Sequence, residues 1–285
     1  MDSRQDYELA KQELDELIHE GFFGQDVLKL VKIRNNMDNE GFLLKILEDY
    51  LKENEEDTFG KERINNYAKI FLILYKEAFI IKPQETIDVM SNFWNGMKDN
   101  NVGENTSNYT EFIRINQEYK NTLHYMSKKD FITNSEKKKV GGELTNVYAK
   151  GVEFIAKIFT ICIALINISN KQKYDIDYID ELTIYKKSLL FRKLSKGRYD
   201  EIIDSINRDI RNAEAHLNLK YIPSEGVFAY KKKKGNKKIN VNIRAEDMIL
   251  NIHPKINWCV QAFVYSGVVF TLICYRNEKK INQIT

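Results

Sequence analysis

Apolar positions recur at helical spacing along most of the chain, and polar breaks divide them into segments. Residues 5–52 read as helices. Leu9, Leu14, Leu17 and Ile18 stand among Glu and Asp, Val27, Leu28, Leu30 and Val31 continue the pattern, and Leu43, Leu44, Ile46, Leu47 and Leu51 form another stripe. A polar break over 53–60 precedes a long helix from about Arg63 to Ile81, which Pro83 should stop. Thr86–Met97 predicts a short helix, 98–108 a loop, and 110–127 a further helix. The basic, glycine-terminated stretch Ser135–Gly142 reads as a linker and a soft domain boundary. Beyond it lie three longer patterns: Leu144–Ile168, Asp177–Leu194 and Tyr199–Leu219. The second has Tyr178, Ile179, Leu182, Tyr185, Leu189 and Leu190 as its apolar stripe, and the third opens with Ile202, Ile203, Ile206 and Ile210. Strict alternation then appears on both sides of Lys234-Gly235-Asn236, with Ile239, Val241 and Ile243 between polar residues, which predicts a hairpin. A helix from about Pro254 to Arg276 closes the chain. The expected fold class is mainly α: a helical bundle with one β-hairpin insertion, preceded by an all-helical N-terminal region. Two domains are expected, over residues 1–135 and 140–285.

Composition narrows this picture. The chain has 285 residues, 43% of them hydrophobic, enough to bury a core. Three prolines and thirteen glycines argue against a turn-dense β-sandwich. The formal charge of +3 divides into −8 over residues 1–100 and +11 over 101–285, so an acidic partner should meet the second part. Cys162, Cys259 and Cys274 each lie in an apolar run, without a CxxC or a neighbouring His, and read as buried free thiols rather than disulfide or zinc ligands. The N-terminus enters an acidic helical pattern at once, so no signal peptide and a cytoplasmic location are expected. Trp258–Tyr275 is uncharged over a length near the minimum for a membrane span, and reads as a buried core helix.

The segment that can carry chemistry is Asn207-Arg208-Asp209-Ile210-Arg211-Asn212-Ala213-Glu214-Ala215-His216. It holds one of four histidines, beside two arginines. Asn212 and His216 are four apart, so on a helix they share a face and a hydrogen bond could fix the imidazole. Arg211 and His216 are five apart, about 140° around a helix. Two copies brought together across a dimer axis would place two Arg and two His around one cleft. Arg211-Asn212-Ala213-Glu214-Ala215-His216 resembles the R-(N/H/D)-x-x-x-H signature of the HEPN superfamily, over about residues 140–285. Ten Arg and four His in a chain of this length would produce Arg-x4-His by chance about 0.14 times.

The resemblance implies a HEPN-like helical domain and a metal-independent, dimeric endoribonuclease of the toxin or anti-phage effector type. It implies His216 as general acid and base, Arg211 as stabiliser of the phosphorane-like transition state, and Asn212 as the residue that positions His216. Such toxins, when controlled by a partner nucleotidyltransferase, often carry Tyr two residues after the His. Here Asn218 stands there, so that mode of control is not implied.

Lys231, Lys232, Lys233, Lys234, Lys237 and Lys238 crowd the hairpin tip, where with Arg208 they could bind RNA phosphates without reading sequence. A solubilising hairpin that protects its own edges is the plainer alternative. Phe228 and Tyr230 alternate opposite Val227 and read as core. Of the other histidines, His19 reads as surface, His124 as structural, and His253, before Pro254, as a cap. No metal or cofactor is expected. The expected partners are RNA, a second copy of the chain, and an antitoxin or defence partner through residues 1–135. A non-catalytic interaction module and a membrane-disrupting effector remain as rival readings.

Overall fold

The computed structural model describes residues 36–52, 58–95, 104–215, 218–234 and 237–282. The chain is mainly helical, as its pattern predicts. Helices α1 (Asn39–Lys52), α2 (Thr58–Ile81), α3 (Pro83–Asn95) and α4 (Glu104–Ser127) come first. Next are the long α5 (Asn134–Ser169), then α6 (Ile176–Glu181), α7 (Ile184–Ser195), α8 (Asp200–Ile203) and α9 (Arg208–Ala215). Strands β1 (Lys220–Ile222), β2 (Val227–Lys234) and β3 (Lys237–Arg244) form one antiparallel sheet. A short α10 (Ala245–Asp247) and a π-helical turn over Met248–Ile252 lead into the 30-residue α11 (His253–Asn282).

α5 is the axis of the fold. Every residue from Ile158 to Ile168 is buried, as expected of a helix surrounded by others. α2, α3, α4, α7 and α11 pack around it. Gly151 lets α11 and α4 approach: a Cβ there would lie 2.8 Å from Phe112 Cε2 and closer still to Ile256 Cγ2. The apolar cluster continues from α2 and α3 into α5 and α11, with Phe93 edge-on to both Phe154 and Phe263. α5 and the stretch Ala245–Arg276 are each long and apolar enough to cross a membrane; 83% of the apolar window is buried in the first and 39% in the second.

Four expectations need correction. Residues 134–142 are the first turns of α5, not a linker. Thr133 caps the helix: its Oγ1 accepts from Glu136 N, and Glu136 Oε2 accepts from Thr133 N. The core is therefore shared by residues on both sides of the expected boundary. The run 177–194 is two helices, because Thr183 caps a new one. That break resets the apolar phase, so Tyr178, Tyr185 and Leu189 face solvent while Ile184, Lys187, Ser188 and Phe191 face inward. The run 199–219 also divides, into α8 and α9 around residues 204–207. The hairpin gains a third strand, since β1 pairs with β2 from Lys220↔Ala229 to Ile222↔Val227. Phe228 and Tyr230 are buried at the base of the sheet, as expected. Cys162 and Cys259 are buried free thiols, whereas Cys274 is partly exposed. The expectations for residues 5–35, including His19, lie outside the described residues.

Candidate active site

α9 carries the Arg211 motif, and its start is fixed by two side chains. Asn207 caps it, its Oδ1 accepting from Asp209 N (3.1 Å) and Ile210 N (3.3 Å). Tyr148, fully buried on α5, accepts from Asn207 N at 2.7 Å and donates to Asn207 O at 3.1 Å. Ile210 and Ala213 then bury the inner face of α9. This leaves Asn212 exposed and Arg211 half-buried on the flank. His216 lies outside the described residues.

Arg211 lines a cleft of about 380 Å³ between α4, α5, α6 and α7. Among the described residues its guanidinium makes no ion pair. The floor of the cleft is a charge cluster that the motif did not indicate. Asp180, on α6, accepts from Lys157 Nζ (2.9 Å), Lys187 Nζ (3.2 Å) and Thr160 Oγ1 (3.0 Å). Lys187 is only 2% exposed and donates a second bond to Ala156 O. Burial pushes its ammonium pKa down, against the opposing pull of Asp180. Burial pulls the Asp180 carboxyl up, but the two ammoniums outweigh it and hold it below the usual carboxylate range. Asp180 is thus shared by two cations. Glu153 also lines the cleft but turns outward, 64% exposed and bonded to Lys150.

The other candidates sit on the far side of α9. Arg208, Lys232 and Lys255 line a second, open cleft of about 360 Å³, with Asp204 and Asp209. Lys232 is committed to an ion pair with Asp209, which raises its pKa. Arg208 lies over the Tyr185 ring, its Cζ 5.1 Å from the centroid. Along the hairpin Lys233 faces Lys238 and Lys234 faces Lys237 across the strands. Such like-charge pairs repel and favour any anion that neutralises them. Lys231 and Lys233 point to the sheet face opposite Lys232. The structure therefore brings Arg208 and Lys232 together, sets Arg211 in a separate cleft, and leaves Lys231, Lys233, Lys237 and Lys238 exposed at the tip.

Sequence reasoning did not single out Asp180 or Lys187, nor Lys157 as part of a site. Lys157 was visible as a charge interrupting an apolar run. Lys187 was visible only once the helix phase was known, as the one cation on the buried face of α7. No family model, no curated protein and no solved structure matches this chain.

Proposed function

We propose that the chain is a metal-independent endoribonuclease of HEPN type, acting as a homodimer in toxin or anti-phage defence. The observation that carries this reading is Arg211, part of an Arg-Asn-x-x-x-His motif, presented without an ion-pair partner among the described residues at a cleft whose other charged side chains, Lys157, Lys187, Asp180 and Glu153, are engaged in ion pairs. The chemistry follows from the side chains. His216 removes the proton from a ribose 2′-hydroxyl, whose oxygen attacks the adjacent phosphorus. The P–O5′ bond breaks, and an imidazolium returns a proton to the leaving 5′-oxygen. The products are a 2′,3′-cyclic phosphate and a 5′-hydroxyl. An imidazole with an ordinary pKa near 6.5 can serve in both protonation states at neutral pH. Arg211 neutralises the charge that grows on the phosphorane oxygens. Because the attacking group belongs to the ribose, DNA is not a substrate. A second copy supplies the second Arg and His of a composite cleft.

Purified protein is to be incubated with structured RNA in the presence of EDTA. Wild type is expected to release cyclic-phosphate ends. His216→Ala and Arg211→Ala are expected to lower the rate at least about a hundredfold, with melting temperatures unchanged. Identical products from wild type and His216→Ala would falsify the catalytic claim. Arrest of host growth by wild type, relieved by His216→Ala, is the expected cellular counterpart.

A further inference from the structure

Helices α4 and α5 pack against each other, and the turn that joins them, residues 128–133, is pinned at both ends. As α4 closes, Lys128 N donates to Tyr125 O (3.3 Å) and Lys129 N to Met126 O (3.1 Å). Thr133 and Glu136 form the cap of α5, and Glu136 also pairs with Lys129 across the turn. Between these fixed points the turn holds Phe131 outward. At 76%, it is the most exposed of the large apolar side chains among the described residues. Tyr125, in the last turn of α4, is 60% exposed, with the Lys129 ammonium 4.8 Å from its ring centroid.

A single exposed apolar side chain is ordinary; the charge around this one is not. From Tyr125 to Lys139 there are five lysines against one aspartate and one glutamate, a net charge of +3. Lys129 is used within the turn, and Lys139 stands 3.8 Å from Glu143. Lys128, Lys137 and Lys138 make no ion pair among the described residues, and Lys128 and Lys138 are exposed. An apolar tip flanked by unpaired ammoniums matches a surface that is negative outside and apolar just beneath. An anionic bilayer has that profile: its headgroups attract lysines, and the acyl boundary below them takes an aromatic ring. Lysine suits the junction, since its stem lies along apolar surface while its head stays wet. A nucleic-acid strand would match the charges, but a stacking ring works in a groove that tracks the backbone. Phe131 lines none of the clefts described above.

We propose that the α4–α5 turn is a peripheral membrane contact: Phe131 enters the acyl boundary of an anionic bilayer, and Lys128, Lys137 and Lys138 meet the charge of its headgroups. The inference goes beyond the ribonuclease reading and does not depend on it. One ring and three lysines make the adhesion weak, reversible and sensitive to salt. It lies on the membrane and spans nothing.

The test is co-flotation of the full chain with two kinds of vesicle, phosphatidylcholine alone and phosphatidylcholine mixed with phosphatidylglycerol. Wild type is expected to bind the mixed vesicles, to leave them at high salt, and to ignore phosphatidylcholine alone. Phe131→Ala is expected to weaken binding about tenfold with the melting temperature unchanged, because the ring supports nothing in the fold. Lys128→Ala and Lys138→Ala should each weaken it about fivefold. Phe131→Trp keeps an aromatic ring and should bind as wild type does, and the fluorescence it adds should be quenched by lipids brominated along the acyl chain. Adhesion through the hairpin lysines alone would be indifferent to Phe131, so the proposal is overturned if Phe131→Ala binds the mixed vesicles as wild type does. It is overturned equally if wild type ignores those vesicles, or if the Phe131→Trp fluorescence is not quenched. Loss of RNA binding or of self-association in Phe131→Ala, with vesicle binding unchanged, would assign the turn to that partner instead.

Discussion

His253 is a histidine that the fold keeps uncharged. It opens α11, is 5% exposed, and stands edge-on to Tyr119 with ring centroids 5.4 Å apart. Its Nε2 has no partner among the described residues. Burial, and then the ammonium of Lys120, hold its pKa at about 4. In the unfolded chain it titrates near its ordinary 6.5. Between those values the unfolded state binds a proton that the native state refuses, so stability falls as the pH is lowered through that window. From pH 7 to about pH 4.5 the loss from this one residue is about 2–3 kcal/mol. Unfolding free energies from urea titrations across this range should therefore fall less for His253→Phe than for wild type, by that amount; parallel curves would rule the residue out as the cause. A sequence shows that such a residue precedes Pro254, which suggests a cap. It does not show that the turn before it is π-helical or that Tyr119 covers the ring. The motif Arg211-Asn212…His216 can be proposed from sequence because its types and spacing are a local pattern. Lys187 and Asp180 cannot, because their meaning comes from a pairing between two helices.

The placement of Arg211 depends on one contact between elements. Tyr148 of α5 both accepts from and donates to the backbone of Asn207, so its hydroxyl fixes where α9 begins. α9 is eight residues long, too short to hold itself together in water. Tyr148→Phe removes the hydroxyl and leaves the packing of the ring, and should cost about 1–2 kcal/mol, felt mainly by α9. Amide exchange in Arg211–Ala215 is expected to accelerate about 5- to 30-fold, while amides of α5 near Ile158–Ile168 keep their protection. Equal acceleration in both segments would mean that Tyr148 supports the whole core rather than this helix. The elements themselves were unevenly legible. α5, α11 and the hairpin carry long, regular patterns, and their existence follows from periodicity. The breaks at Thr183 and Asn207 use side-chain caps with no Gly or Pro, and the apolar spacing runs on across both, so the sequence reads each as one helix. The glycines before Leu144 suggest a linker, yet Thr133-Asn134-Ser135-Glu136 already holds the capping pattern of a helix start. Gly141 is there because Tyr221 of β1 packs on it, with the ring 2.8 Å from where a Cβ would lie.

At the scale of the whole molecule, charge divides the chain where packing does not. The acidic first hundred residues include α2 and α3, and both are parts of the common core. Phe71 and Phe93 meet Phe263, Tyr75 and Phe79 meet Phe270, and Tyr75 is within hydrogen-bonding distance of Ser266 at 3.3 Å. Glu77 of α2 accepts from Arg198 and from the Tyr199 hydroxyl just before α8. Among the described residues, α2 and α3 are thus built into the core that also carries the basic part of the chain. A fragment of residues 134–285 keeps the Arg211 motif and the lysine hairpin, yet it uncovers the faces of α5 and α11 that α2, α3 and α4 occupy. Each large aromatic side chain left exposed forfeits about 2–3 kcal/mol of burial, and the aromatic contacts above involve several. Against the few kcal/mol by which domains are stable, that loss is decisive. The fragment should retain helical far-UV circular dichroism, lose its near-UV signal, bind a hydrophobic dye and unfold without a cooperative transition. A fragment that melts cooperatively with an intact near-UV spectrum would show instead that residues 134–285 fold alone, and that α2 and α3 are docked onto a finished domain.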